Sequence, residues 1–369
     1  MTQRRIAITG ADGFVGKNLA VRLNELGMHI LPLVRGSDQQ AWFDAIAQAD
    51  AVVHLAGANR PADPAEFMSV NYGTADLLAQ AVAATRRSVP IAYASSSRAL
   101  EPTEYGRSKL AGEARLNELA AATGGELYTL RLPNVFGKWA RPHYNSAVAT
   151  FCYNIARDLP IQVNDPSAPL SLVYIDDVVA TIVSIIEGNH AEGMVSIEPV
   201  YHSTVGEVAE TISGFRRDRT DNLIDQVGTG LKRALYSTYV AALPIAEFSY
   251  PIAAHDDPRG SFSEMLKTRT SGQFSFFTAH PGVTRGGHYH HSKTEKFLIV
   301  HGSARFRFRH ILSGEEHVID VSGDHPEIVE TVPGWAHDVT NIGETMLISM
   351  LWANEIFDRD RPDTIAAKV

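Results

Sequence analysis

The sequence predicts an α/β N-terminal domain on a doubly wound parallel sheet, followed by a small all-β barrel. Three observations lead there. Short apolar, β-branched runs alternate with helically spaced segments through the first half. Near residue 245 this gives way to short alternating strands separated by glycine-bearing turns. The 369 residues exceed one ordinary domain, and the change of pattern divides them into 1–243 and 244–369.

Ile6–Thr9 reads as the first strand, followed by a glycine-rich turn and helical spacing over Asn18–Leu26. Ile30–Val34, Ala51–Leu55, Ile91–Ala94 and Leu127–Leu132 repeat the short-strand theme, with helical material at Asn71–Ala84 and Leu110–Ala122 between them. Leu243–Pro251, with two prolines, reads as a connector. Beyond it, strands are expected at Gln273–Ala279, Lys296–His301, Ala304–His310, His317–Val321 and Met346–Leu351. No internal repeat or low-complexity tract interrupts the chain.

Composition removes several classes of function. Hydrophobic residues at 44 % supply a sizeable core. The net charge of −9 and the lack of a dense Lys/Arg tract argue against a nucleic-acid partner. No apolar run approaches the roughly 20 residues of a membrane helix. No apolar segment follows the first arginines, and the single cysteine, Cys152, suits a reducing compartment. The expectation is a cytoplasmic protein without a membrane partner.

Chemistry begins at Gly10-Ala11-Asp12-Gly13-Phe14-Val15-Gly16, between the first strand and its helix. Glycine lets the backbone turn tightly and lets a pyrophosphate approach the amides of a helix N-terminus. The spacing is a variant of the usual dinucleotide fingerprint. The second strand ends at Arg35, where a cation suits a 2′-phosphate and points to NADP rather than NAD. Tyr105 and Lys109, four apart, share one face of a helix. The lysine charge is expected to lower the tyrosine pKa and fit it as a general acid. Ser95-Ser96-Ser97 follows a strand, where a hydroxyl can bind a substrate carbonyl.

Over roughly residues 1–245 these features resemble the extended short-chain dehydrogenase/reductases, with a Rossmann domain. The resemblance includes His54-Leu55-Ala56-Gly57, Asn71-Tyr72-Gly73-Thr74, Arg131-Leu132-Pro133-Asn134-Val135-Phe136-Gly137 and Val173-Tyr174-Ile175-Asp176-Asp177-Val178. It implies NADPH held by Gly10, Gly13, Phe14, Val15, Gly16, Arg35, Leu55, Ala56, Gly57, Asn71, Tyr105, Lys109 and Asn134. It implies catalysis by Ser97, Tyr105 and Lys109, with Ser97 taken as the third of its triplet and Ser96 in reserve. It also implies a nucleotide-sugar substrate, with Arg131, Asn134 and the Asn145–Tyr153 helix as candidate contacts. Arg98-Ala99 stand where related 4,6-dehydratases carry an acidic pair, which favours plain ketone reduction.

In the second domain, His288 and His290 fall on one face of a strand, Glu295 opens the next, and His337 lies on a later one. Three imidazoles and a carboxylate suit a first-row divalent metal, zinc first; nickel, manganese and iron accept the same donors. His291 points away. From Gly282 through His288, His290 and Glu295 to Gly302 the spacing is similar to the cupin pattern. Gly334, His337 and Asn341 fit its second motif, although Pro333 sits one place late. Asp257-Pro258-Arg259-Gly260-Ser261-Phe262 resembles a stretch of nucleotide-sugar 3,5-epimerases, and a loop salt bridge explains it equally well.

The fusion resembles the bifunctional capsular-polysaccharide enzymes of the UDP-N-acetyl-L-fucosamine pathway, through both halves. Matching segments include Phe136-Gly137-Lys138-Trp139, Leu235-Tyr236-Ser237-Thr238-Tyr239 and Trp352-Ala353-Asn354-Glu355-Ile356-Phe357-Asp358. The resemblance implies a UDP-linked 2-acetamido-2,6-dideoxy-hexos-4-ulose, epimerised at C3 by the cupin and reduced at C4 to UDP-N-acetyl-L-talosamine. It also implies a homodimer. Two other readings fit the residues: a reductase whose barrel serves only dimerisation or stability, and a catalytically silent NADP-sensing scaffold.

Overall fold

The computed structural model describes residues 3–369. The chain forms two compact units, one running through Ser213 and resuming at Thr229–Pro244, the other made of Gly214–Gly228 and Ile245–Val369.

The first unit contains β1 (Arg5–Thr9), α1 (Phe14–Glu25), β2 (His29–Leu33), α2 (Gln39–Gln48), β3 (Ala51–His54), α3 (Gly73–Thr85), β4 (Ile91–Ser96), α4 (Glu104–Thr123) and β5 (Leu127–Leu132). It continues with β6 (Asn134–Phe136), α5 (Ala147–Ile155), β7 (Pro169–Tyr174), α6 (Ile175–Ile186), β8 (Gly193–Met194), β9 (Tyr201–Thr204) and the start of α7 (Val205–Thr220), whose residues from Gly214 belong to the second unit. The main sheet runs β2-β1-β3-β4-β5-β8, all parallel. Its central strands are apolar and buried, as strands covered on both faces must be: Ile6, Ala7, Ile8, Val52 and Val53 are at most 1 % exposed. Trp42 and Ile46 from α2, Leu78 and Val82 from α3, and Leu116 from α4 share one core with Tyr93 of β4. Truncating Leu116 to alanine there would cost about 2–5 kcal/mol.

Local chemistry sets the helix ends. Asp38 caps α2 through Ala41 N–H, and Thr103 caps α4 through Gly106 N–H. The Thr103 cap starts α4 at Glu104, six residues before the helix expected from Leu110, and brings Tyr105 and Lys109 into its first turns. The chain leaves β1 toward β2 on one side, and β3 leads to β4 on the other. Ligands bind in the crevice that such a switch opens at the strands' carboxyl ends.

The second unit is all-β. After β10 (Leu223–Ile224) the chain makes α8 (Gly230–Ala241) within the first unit, then β11 (His255–Asp257), β12 (Gly260–Thr268), β13 (Gly272–Ala279), β14 (Thr284–Tyr289) and β15 (Glu295–His301). There follow β16 (Ser303–His310), β17 (Glu316–Ser322), β18 (Ile328–Thr331), β19 (Trp335–Asn341), β20 (Leu347–Ala353) and β21 (Ile365–Ala366). One sheet runs β10-β12-β13-β20-β15-β18 with β11 on β12; the other runs β17-β16-β19-β14-β21. Pairing is antiparallel except for β10 on β12. On β16, Ala304, Phe306 and Phe308 turn inward and Arg305 and Arg307 outward, the alternation of a half-buried strand. Phe277 and Phe297 from one sheet meet Phe306 and Val339 from the other in a single core.

Residues 214–228 belong to this unit because Arg216 pairs with Glu247, Asp218 with Arg269, and Lys267 N–H donates to Asn222 O. The middle of the expected connector, at Glu247, is therefore pinned by an ion pair. Among the described residues, no helix is long and apolar enough to cross a membrane.

Candidate functional site

β1 delivers the glycine loop to the N-terminus of α1. Gly10 has φ +66°, and a Cβ there would lie 3.0 Å from Ala56 N, so this loop rests against the Leu55–Gly57 turn after β3. A Cβ on Gly16 would lie 2.3 Å from Gly10 O. Thr9 Oγ1 accepts the N–H groups of Leu55 and Ala56 at 3.1 Å each and bonds His54 Nδ1 at 2.7 Å, fastening the two turns together. Gly13 caps α1 without a side-chain bond, and no acid stands in its first turn. The first-turn amides, flanked by half-buried Phe14 and Val15, fit a pyrophosphate. Arg35 is exposed just beyond β2, and the acid of that turn, Asp38, is engaged in capping α2.

Lys109 is buried; its Nζ donates to Ala94 O at 2.7 Å and lies 4.8 Å from the Tyr93 ring centre. Burial pushes its pKa down to about 8, against the pull of Glu113. A Cβ on Gly57 would lie 3.9 Å from this Nζ and 2.8 Å from Asn71 Oδ1. Buried Asn71 accepts Ala58 N–H at 2.7 Å and donates to Ser108 Oγ at 2.9 Å, tying the loop after β3 to α4. The Tyr105 hydroxyl donates to Asn59 Oδ1 at 3.3 Å. Burial raises its pKa, opposed by hydrogen bonding with Ser96 and the charge of Arg98, whose guanidinium lies 5.9 Å from the ring centre. Lys109, expected to lower the Tyr105 pKa, is not among the influences that set it.

The serine triplet divides by role. Ser95 donates to Glu113 at 2.5 Å and is buried. Ser96 ends β4, within reach of Tyr105, and its Oγ accepts Arg98 N–H at 3.2 Å. Ser97 is exposed on the 3₁₀ turn Ser97–Leu100. Arg131, a candidate substrate contact, gives its guanidinium to Glu113 at 3.0 and 2.7 Å, a bidentate pair. Asn134 donates to Ser171 O on β7. Asn59 and Glu113 carried no signal in the sequence beyond their nearness to the motifs.

In the second unit, His288, His290, Glu295 and His337 offer donor atoms within 4.8 Å of one another. A bulge between Gly286 and His288 re-aims the end of β14, and His290 lies just past it. The ring centres of His288 stand 4.9 Å from His290 and 4.8 Å from His337. Glu295 Oε2 lies 3.3 Å from His290 Nε2 and 3.6 Å from His337 Nε2. Burial acts to raise the Glu295 carboxyl, but the neighbouring imidazoles of His290 and His337 and the Lys293 charge hold it far below the carboxylate range. Burial, then neighbouring His337 and His290, push His288 down to about 4. His290 Nδ1 meets the Asp363 carbonyl and His337 Nδ1 the Trp335 carbonyl, which turns each Nε2 inward. His337 Nε2 is buried without a hydrogen-bond partner. This donor set fits a divalent metal. His291 is exposed. Buried Lys293, 3.4 Å from Glu295 Oε1, was missed by sequence reasoning.

The stretch after Asp257 is a tight β11–β12 turn in which Arg259 donates to both Asp257 carboxylate oxygens, the salt bridge that the sequence also allowed. That bond, more than any other influence, holds Asp257 down to about 2.

The NAD dependent epimerase/dehydratase family matches residues 6–197, and the polysaccharide biosynthesis C-terminal domain matches residues 255–365. The chain is 53 % identical over 367 residues to the UDP-2-acetamido-2,6-beta-L-arabino-hexul-4-ose reductase of Pseudomonas aeruginosa, covering 99 % of each chain. It is 28 % identical over 119 residues to the spore coat polysaccharide biosynthesis protein SpsL of Bacillus subtilis, covering 30 % of this chain and 79 % of that one. The crystal structure of the capsular polysaccharide assembling protein CapF from Staphylococcus aureus superposes with a TM-score of 0.93 at 41 % identity, covering 99 % of this chain and all of that one. The UDP-glucose 4-epimerase of Thermotoga maritima, at 18 % identity and a TM-score of 0.55 over 64 % of this chain and 98 % of that one, shares the fold of the first part.

Proposed function

This chain belongs to the NAD dependent epimerase/dehydratase family, and on that premise we propose that it is an NADPH-dependent reductase of a UDP-linked 2-acetamido-2,6-dideoxy-hexos-4-ulose, forming UDP-N-acetyl-L-talosamine for polysaccharide synthesis. The second unit, with zinc, epimerises C3 first. The observation that carries the reading is Tyr105 and Lys109 on α4, gathered with Ser96 and Asn71 against the Leu55–Gly57 turn that borders the glycine loop. The relative from Pseudomonas aeruginosa supports the choice of substrate.

Gly10–Gly16 and Leu55–Gly57 would hold NADPH, which would supply hydride. The Tyr105 hydroxyl donates its proton to the developing alkoxide, and Ser96, rather than Ser97, orients the carbonyl oxygen. Lys109, pinned by Ala94 O, would present its charge to the cofactor ribose. Arg35 meets the 2′-phosphate. His288, His290, Glu295 and His337 would hold a zinc ion, which would supply Lewis acidity.

Chemistry sets the order of the two steps. The C3 proton is acidic only while C4 is a ketone, so inversion precedes reduction. The test supplies the UDP-linked 4-keto sugar in D2O to the full chain, with and without NADPH, and analyses the products by mass. Deuterium entering at C3 without NADPH, and an alcohol formed in step with NADPH oxidation, are expected. No NADPH consumption would overturn the reductase; NADPH consumption without deuterium entry would leave the second unit uncatalytic.

A further inference from the structure

The chain returns after β20 to the metal-ligand strand. β21 pairs antiparallel with β14, placing Ala366 opposite His288 and Ile365 opposite Tyr289. Ala367 N–H donates to Gly287 O at 3.0 Å, and Arg309 holds Lys368 O at 2.9 and 2.6 Å. Just before β21, the Asp363 carboxylate accepts three successive backbone N–H groups, those of His291, Ser292 and Lys293, at 2.9, 2.7 and 2.8 Å, and the Ser292 hydroxyl at 3.0 Å. These residues begin the turn between His290 and Glu295. The main-chain carbonyl of the same Asp363 accepts from His290 Nδ1. With its proton on Nδ1, the ring keeps the Nε2 lone pair facing Glu295.

We propose that Asp363–Ala367 is a clasp that presets the ligand geometry of the second unit, with Asp363 as its positioning residue and a divalent cation as the ligand whose binding it tightens. The proposal rests on the metal reading above. The clasp addresses His288 through strand pairing, His290 through a carbonyl, and Glu295 through the turn that precedes it. Terminal segments fray unless tied down, and here a carboxylate in a nest of three amides ties this one. Asp363 belongs to none of the donor atoms. It acts through the ring that its carbonyl orients, and removing such an outer partner weakens metal binding about 10–100-fold. The coupling is reciprocal: if a docked clasp tightens zinc, zinc must tighten the clasp by the same factor.

The test uses the full chain and zinc alone. Zinc transfer to a chromophoric chelator is timed for the wild type, Asp363→Asn and Asp363→Ala. Asp320→Asn, which breaks only an exposed pair with Arg305 in the same unit, is the control. Hydrogen exchange of amides 291–293 and 365–367 is followed in the wild type with and without zinc. Release roughly ten-fold faster in Asp363→Asn, and faster still in Asp363→Ala, is expected, with the control unchanged. Zinc should slow exchange of those wild-type amides by at least about five-fold. Release within about two-fold of wild type in both Asp363 variants, or exchange that ignores zinc, would overturn the clasp while leaving the metal site standing. A wild type that takes up no zinc would sink the metal reading and the clasp with it.

Discussion

The two candidate sites are built by opposite means. The cradle of the first unit is made by leaving side chains out: Gly10, Gly16 and Gly57 stand where a Cβ would meet neighbouring atoms at 3.0 Å or less. The cluster of the second unit is made by bringing side chains in, three imidazoles and a carboxylate from separate stretches. Both hold a basic nitrogen with a backbone carbonyl, Ala94 O for Lys109 and Asp363 O for His290. The first carbonyl lies fifteen residues from its partner, the second seventy-three. A backbone cradle is therefore written in a local motif, whereas a converging cluster depends on distant chain that no motif announces.

The largest expected effect tests whether the two sites work independently. Tyr105→Phe removes the proton donor of the first and should lower the rate of ketone reduction roughly 10²–10⁴-fold. Deuterium entry at C3 should be unchanged. Loss of deuterium entry as well would mean that the sites are not separate centres; unchanged reduction would remove Tyr105 from the chemistry.

A smaller effect sharpens the first site. Buried Ser96 lies within reach of the Tyr105 side chain, while Ser97 is exposed on the next turn. Ser96→Ala should cost about 10²-fold in kcat, as loss of a hydrogen-bond donor to developing charge does, and Ser97→Ala should leave kcat near wild type. The opposite ranking would restore Ser97 as the orienting hydroxyl.

This difference also marks what the sequence reveals. Gly10–Gly16, Tyr105–Lys109 and the spacing from His288 to Glu295 are short-range patterns, and the structure gathers each set. Which serine faces Tyr105 depends on where β4 ends: Ser96 closes the strand and Ser97 opens a 3₁₀ turn, a boundary that three identical residues do not disclose. Arg131 looked like a substrate contact because nothing in the sequence shows Glu113 packing against it across α4 and β5. Residues 214–228 join the second unit through Arg216–Glu247 and a two-residue strand, neither visible in hydrophobic periodicity. The strand expected to carry His288 and His290 is β14, which ends at Tyr289 and leaves His290 just beyond it.

Two buried imidazoles, one in each unit, carry an Nε2 that finds no hydrogen-bond partner: His54 and His337. His337 faces Glu295, and its lone pair fits a metal. His54 bonds Thr9 through Nδ1, stacks on Tyr93 at 5.4 Å and meets Trp42 edge-on, with no acid beside it. Burial, reinforced by the charge of Lys109, pushes it down to about 3 from an ordinary 6.5. Between those values the unfolded chain binds a proton that the folded chain refuses. Its contribution to stability is therefore full above pH 6.5 and falls as pH drops toward 3, by at most about 1.4 kcal/mol per pH unit. His54→Gln should remove that one-proton component. Urea unfolding of the wild type and the variant, compared at several pH values across this window, reads it as a difference in slope of about one proton. Equal slopes would mean that His54 takes up its proton while folded.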